Sequence, residues 1–84
     1  MYTVVFSDTA RKQLRKLDAE TQRRILIALT RIRIRPFSYL TRLVGDPGYR
    51  LRVGDYRVII DVHRTELNLV VIKVGHRGSI YKRK

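Results

Sequence analysis

Two hydrophobic periods alternate along the chain and divide it into elements. Tyr2–Phe6 (YTVVF) is dense in β-branched and aromatic residues and predicts a first strand. Ala10, Leu14 and Leu17 then recur at i, i+4 and i+7, one stripe of a helix that Ser7 or Asp8 can cap. Asp18 opens a second helix, with Ala19 and Glu20 in its first turn. It runs through RRILIALTRIRIR and must stop by Arg35, because Pro36 disfavours helical geometry in the residue before it. A long connection follows, containing Pro36, Gly45, Pro47 and Gly48. Period-two alternation returns in Tyr49–Val53, Tyr56–His63 and roughly Asn68–Val74, and the loops between them are too short for crossovers, so these strands pair antiparallel. The order is β-α-α-β-β-β, an α+β pattern.

The strand pattern also sets a register. Gly54-Asp55 suits a two-residue hairpin turn, which places Val53 opposite Tyr56, Arg52 opposite Arg57, Leu51 opposite Val58 and Arg50 opposite Ile59. Tyr49, Leu51, Val53, Tyr56, Val58, Ile60 and Val62 then share the face toward the helices. Arg50, Arg52, Arg57, Ile59, Asp61 and His63 share the other. Like charges directly opposite one another destabilise a sheet, so the Arg52/Arg57 pair points to an anion site. In the next hairpin, apolar faces match when Val62 pairs with Val70, Ile60 with Ile72 and Val58 with Val74, across a loop of three or five residues near Thr65-Glu66. Gly75 then falls opposite Arg57 with Lys73 beside it, leaving room for a ligand to approach the backbone. Arg77 projects over the same patch, and Tyr81 follows closely.

The second helix has two apolar stripes. Ile25, Ala28, Leu29 and Ile32 share one face and suit the core, whereas Ile27 and Ile34 lie about 160–200° round the helix. The second stripe is either scattered exposed residues, which are ordinary, or a surface covered by a partner.

Composition narrows the chemistry. The chain has 84 residues, 19 Lys plus Arg and 7 Asp plus Glu, for a net charge of +12, which suits one domain, 1–84, with one small core. Fourteen of the basic residues are arginines, whose planar forks fit phosphate. Seven acids cannot neutralise nineteen bases, so nucleic acid or an acidic protein is the expected partner. With no cysteine, disulfides and thiolate zinc sites are excluded, and two histidines leave little for any other metal, so none is expected. Apolar runs such as Ile25–Leu29 are too short to span a bilayer, and MYTVVFSDTA lacks signal-peptide organisation, so a cytoplasmic location is expected, with no membrane partner.

The segments YRLRVGDYRVII and VGHRGSIY, with the opening F-S-x-x-A-x-x-x-L-x-x-L, resemble the RelE toxin superfamily over nearly the whole chain. That resemblance implies a four-stranded antiparallel sheet packed against two N-terminal helices. It also implies a toxin of a type II toxin–antitoxin pair, a ribosome-dependent endonuclease that cleaves messenger RNA without metal or other cofactor. Its partners would be the ribosome with bound mRNA and an acidic RelB-like antitoxin. RelE's two strand lysines fall on Arg50 and Arg52, its arginine after the next strand's tyrosine on Arg57, its arginine after V-G-x on Arg77, and its late tyrosine on Tyr81. These five are the expected catalytic residues, although both lysines have become arginines and the stretch before Tyr81 is two residues shorter. Lys73, His76, Lys82 and Arg83 extend the expected RNA-binding surface, and Ile27 and Ile34 are the expected antitoxin contacts. Two alternatives stand beside this reading: a ParE-like toxin that binds DNA gyrase, and a non-catalytic module whose arginines only hold phosphate.

Overall fold

A computed structural model describes residues 1–80. Its elements in order are β1 (Thr3–Phe6), α1 (Asp8–Arg15), α2 (Ala19–Ile32), a 3-10 turn (Pro36–Ser38), β2 (Thr41–Arg42), β3 (Tyr49–Val53), β4 (Tyr56–His63) and β5 (Asn68–His76). Each helix starts on the residue type its first turn requires. The Ser7 hydroxyl accepts from the Ala10 N–H at 3.0 Å, and Asp18 accepts from the Thr21 N–H at 3.2 Å and the Thr21 hydroxyl at 2.6 Å. These contacts satisfy N–H groups that the helix itself leaves open. α2 ends at Ile32, and Arg35 has already left helical geometry (φ −134°, ψ 71°), as the following proline demands.

The helices cover one face of a five-stranded sheet ordered β1-β5-β4-β3-β2. Two features differ from the expected four antiparallel strands. β2 is an additional strand within the 36–48 connection, only two residues long, pairing Thr41 with Arg50 and Arg42 with Tyr49. Two residues are too few for alternation to register. β1 joins β5 in parallel, Thr3 beside Asn68 through Phe6 beside Val71. Two helices intervene between β1 and the other strands, so no hairpin fixes its direction.

β3 and β4 pair as the turn dictates, including Arg52 with Arg57. β4 and β5 follow the expected register only at the end beside the Gly54-Asp55 turn, with Arg57 opposite Gly75 and Val58 opposite Val74. Beyond an irregularity after Ile59 the pairing becomes Ile60 with Val71, Val62 with Leu69 and His63 with Asn68. The loop is therefore 64–67, four residues rather than three or five, and Leu67 takes a left-handed φ of 56° within it. The cause is a bulge at Ile72, which resets the alternation so that Leu69, Val71 and Val74 all reach the core. One unbroken alternation, the basis of the expected register, cannot bury all three.

α1 repairs the ladder at the bulge. β1 stops at Phe6, leaving the edge of β5 beyond Val71 without a strand partner. There the Ser7 hydroxyl donates to the Ile72 carbonyl at 3.2 Å, and the Gln13 side-chain oxygen accepts from the Val74 N–H at 2.7 Å. The core beneath is Ala10, Ile25, Leu29 and Ile32 from the helices against Leu51, Val58, Ile60, Leu69, Val71 and Val74 from the sheet. At the end of the sheet away from the Gly54-Asp55 turn, Phe37 packs edge-on against Tyr49 at 5.4 Å. Arg64 lies over Phe37 and Arg42 over Tyr49. Among the described residues no helix is long and apolar enough to cross a membrane.

Candidate anion-binding site at the hairpin tip

The face opposite the helices carries two cross-strand rows. One is Arg52–Arg57–Gly75 and the other is Thr41–Arg50–Ile59–Lys73. Arg50, Arg52, Arg57 and Lys73 are thus brought together as the register requires, and Arg77 follows at the end of β5. Asp61, the carboxylate expected on this face, lies away from the tip. Its Oδ1 flanks Gly48, as does Asp46 Oδ1.

Arg57, paired across strands with Arg52, folds back onto the turn. Its Nη1 donates to the Gly54 carbonyl at 3.0 Å and to the Tyr56 carbonyl at 2.9 Å, and the residue is only 8% exposed. The guanidinium has five N–H donors, so one nitrogen engaged by the turn leaves others for a ligand. Arg52 stays exposed. Arg50 places its Nε in a buried position with no hydrogen-bond partner among the described residues. An unmet buried donor costs about 1–3 kcal/mol, so this placement of Arg50 weighs against stability. Arg77 is tied to the turn through its backbone, its N–H donating to the Asp55 carbonyl at 2.8 Å. Its side chain only brushes the Asp55 carboxylate at 4.0 Å, with both groups well exposed. Such a pair contributes little and gives way readily to phosphate.

Gly75 has a different tenant from the expected one. Ile80, 6% exposed, packs over it, and a Cβ on Gly75 would meet Ile80 Cδ1 at 3.0 Å. The room left by the missing side chain therefore holds the returning chain, not a ligand. That return is a tight turn in which the Ile80 and Ser79 N–H groups both donate to the His76 carbonyl.

His76 stands apart from the arginines. It pairs with Tyr56 on the helix side of the sheet, its ring 5.6 Å from the Tyr56 ring, and its Nδ1 accepts from the Gly78 N–H at 3.1 Å. His63 lies at the far end of β4, exposed. Tyr81, Lys82 and Arg83 lie outside the described residues. Ile27 and Ile34 are 51% and 69% exposed, and Ile27 lines a shallow groove on α2 with Leu26, Gln22 and Thr30.

One basic residue joins the tip without a signal in the strand pattern. Arg24, on α2, reaches over the turn, and its Nη2 stands 3.2 Å from where a Gly54 Cβ would be. Helix periodicity ranks Arg24 as an exposed charge and says nothing of which loop it meets.

Comparison with known proteins agrees with this fold. A family model described as the ParE toxin of the type II toxin–antitoxin system parDE matches residues 4–81. Toxin RelG of Mycobacterium tuberculosis is 33% identical over 89 residues, covering 98% of this chain and 98% of that protein. The RelBE2 toxin–antitoxin complex of Mycobacterium tuberculosis contains a chain of similar fold, with a TM-score of 0.83 and 26% identity over 90% of this chain and 98% of that one. A chain of the intact Escherichia coli RelBE complex is similar with a TM-score of 0.77 and 27% identity, covering 90% of this chain and 96% of that one.

Proposed function

Since the chain belongs to the ParE toxin family of type II toxin–antitoxin systems, within the RelE/ParE superfamily, we propose that it is a ribosome-dependent mRNA endonuclease acting through the arginine face. The observation that carries this reading is the row Arg52–Arg57–Gly75 with Arg77 beside it, an arginine cluster whose like charges lie directly across strands. RNA supplies its own nucleophile. The 2′-hydroxyl attacks the adjacent phosphorus in line, the bond to the 5′-oxygen breaks, and the products are a 2′,3′-cyclic phosphate and a free 5′-hydroxyl. Arg52, Arg57 and Arg77 hold the scissile phosphate and stabilise the extra negative charge of the phosphorane. Arg50 stabilises the activated nucleophile but does not accept its proton, because a guanidinium scarcely deprotonates. Tyr81 stacks on a base, and Lys73 with the C-terminal Lys82 and Arg83 holds the flanking strand. His76 is not assigned to the cluster.

The proposed regulator is an acidic RelB-like antitoxin that covers the arginine face and lays apolar side chains on Ile27 and Ile34. The toxin–antitoxin complexes of the similar chains support it. A ribosomal substrate places the protein in the cytoplasm, acting as one domain, 1–84. The parDE description of the family model favours a second reading, inhibition of DNA gyrase. An in vitro translation reaction followed by primer extension on the message, run beside a supercoiling assay, decides between them. The endonuclease reading requires cuts at ribosome-occupied codons with supercoiling unaffected; intact message with blocked supercoiling overturns it.

A further inference from the structure

The two-residue turn Gly54-Asp55 gathers arginines from three separate elements. From α2, Arg24 Nη2 lies 3.2 Å from the position of a Gly54 Cβ. From β4, Arg57 Nη1 bonds the Gly54 carbonyl at 3.0 Å. From the end of β5, the Arg77 N–H bonds the Asp55 carbonyl at 2.8 Å. Gly54 has a left-handed φ of 59° and no side chain, so it suits both the turn and the close approach of Arg24. With those distances and ordinary peptide dimensions, the nearest nitrogens of Arg24 and Arg57 are no more than about 10 Å apart. Among the described residues the one ion pair within 4.0 Å is Arg77 with Asp55, so no carboxylate neutralises Arg24 there.

Arg57 meets the turn from the arginine face, whereas Arg24 comes from the helix that covers the opposite face. The cationic surface therefore continues round the hairpin tip rather than stopping at the edge of the sheet. A structural cation at this position would be expected to share a carboxylate or a carbonyl, and Arg24 makes neither contact among the described residues. We propose that Arg24 is a phosphate-binding residue for the RNA strand next to the scissile linkage, so that the strand bends round the hairpin tip. This rests on the endonuclease reading and adds the path of the strand to it. Because the phosphate held by Arg24 does not react, its contact is equally strong before and during the chemical step, and its loss appears in binding rather than turnover.

The test compares Arg24→Ala and Arg24→Lys with wild type, using programmed ribosomes as substrate and a 2′-O-methyl single-stranded RNA, which cannot be cleaved, as binding probe. Arg24→Ala should raise KM for the ribosome complex about fivefold or more while kcat stays within about twofold. It should also reduce the slope of log binding constant against log salt for the probe by about 0.7, one phosphate contact on a single strand. Arg24→Lys should restore the slope, since the charge returns, with the melting temperature the same in all three proteins. An unchanged KM and slope in Arg24→Ala would overturn the proposal, as would a loss of binding matched by a fall in melting temperature, which would make Arg24 a prop for the turn. Arg57→Ala run in parallel keeps the two ideas separate. If it leaves kcat intact the endonuclease reading fails, while the salt slope on the probe still judges Arg24.

Discussion

At the scale of single residues, Arg52 and Arg57 face each other across a hairpin yet have different energetics. Arg57 is buried and donates twice to turn carbonyls, whereas Arg52 is exposed. Arg57→Ala should therefore lower cleavage within ribosome complexes about a hundredfold or more and also destabilise the hairpin by about 1–3 kcal/mol. Arg52→Ala should lower cleavage while leaving the melting temperature unchanged or raised, because it removes one of two opposed like charges. Thermal melts and cleavage rates of the two variants, measured together, check the pair. Their adjacency was legible in the sequence, because a two-residue turn leaves one register and alternation fixes the face. The burial of Arg57 was not, since it depends on a side chain turning back onto its own turn. Nor was the Ile80 contact with Gly75, which arises where the chain reverses after His76 and no periodicity operates.

At the scale of elements, the start of α2 rests on one carboxylate. Asp18 is held below the usual carboxylate range by the hydrogen bond from the Thr21 hydroxyl first and the Thr21 N–H second, against a smaller opposing effect of desolvation. A depressed value in the folded protein means that the stabilisation is present above the unfolded carboxylate pKa and is lost as pH falls through the folded one. Asp18→Ala should lower the melting temperature at neutral pH, and the difference from wild type should shrink on acidification. Asp18→Asn should keep most of the cap and lose that pH dependence. Melts from neutral to acidic pH read both effects. Caps, helix stripes and the β3–β4 hairpin were legible because each is set by residues close in sequence. β2 and the Ile72 bulge were not. A two-residue strand carries no period, and the bulge is decided by which of Leu69, Val71 and Val74 the helices can cover.

For the whole molecule, the arginine rows of the sheet and the exposed isoleucines are placed on different sides. The arginine rows lie on the face away from the helices, while Ile27 and Ile34 lie exposed on and just beyond α2. An antitoxin that uses both should bind in a way that salt only partly weakens, because apolar burial is not screened. Changing Ile27 and Ile34 together to Asp should weaken the antitoxin complex at least tenfold and leave message cleavage at the wild-type rate. Titration of the purified partners and primer extension on the same protein check both halves; wild-type affinity in the double variant would remove that stripe from the interface. The parallel union of β1 with β5 was beyond a reading of the strand pattern, since Thr3 meets Asn68 across most of the chain. It also has a consequence for synthesis. β1 is made before the other strands, and its one strand partner among the described residues is made more than sixty residues later. Contacts so distant in sequence form late in folding. Gly75, which completes the row across Arg52 and Arg57, and Arg77 come later still. A nascent chain therefore carries Arg50, Arg52 and Arg57 before it has the part of the sheet that arranges them.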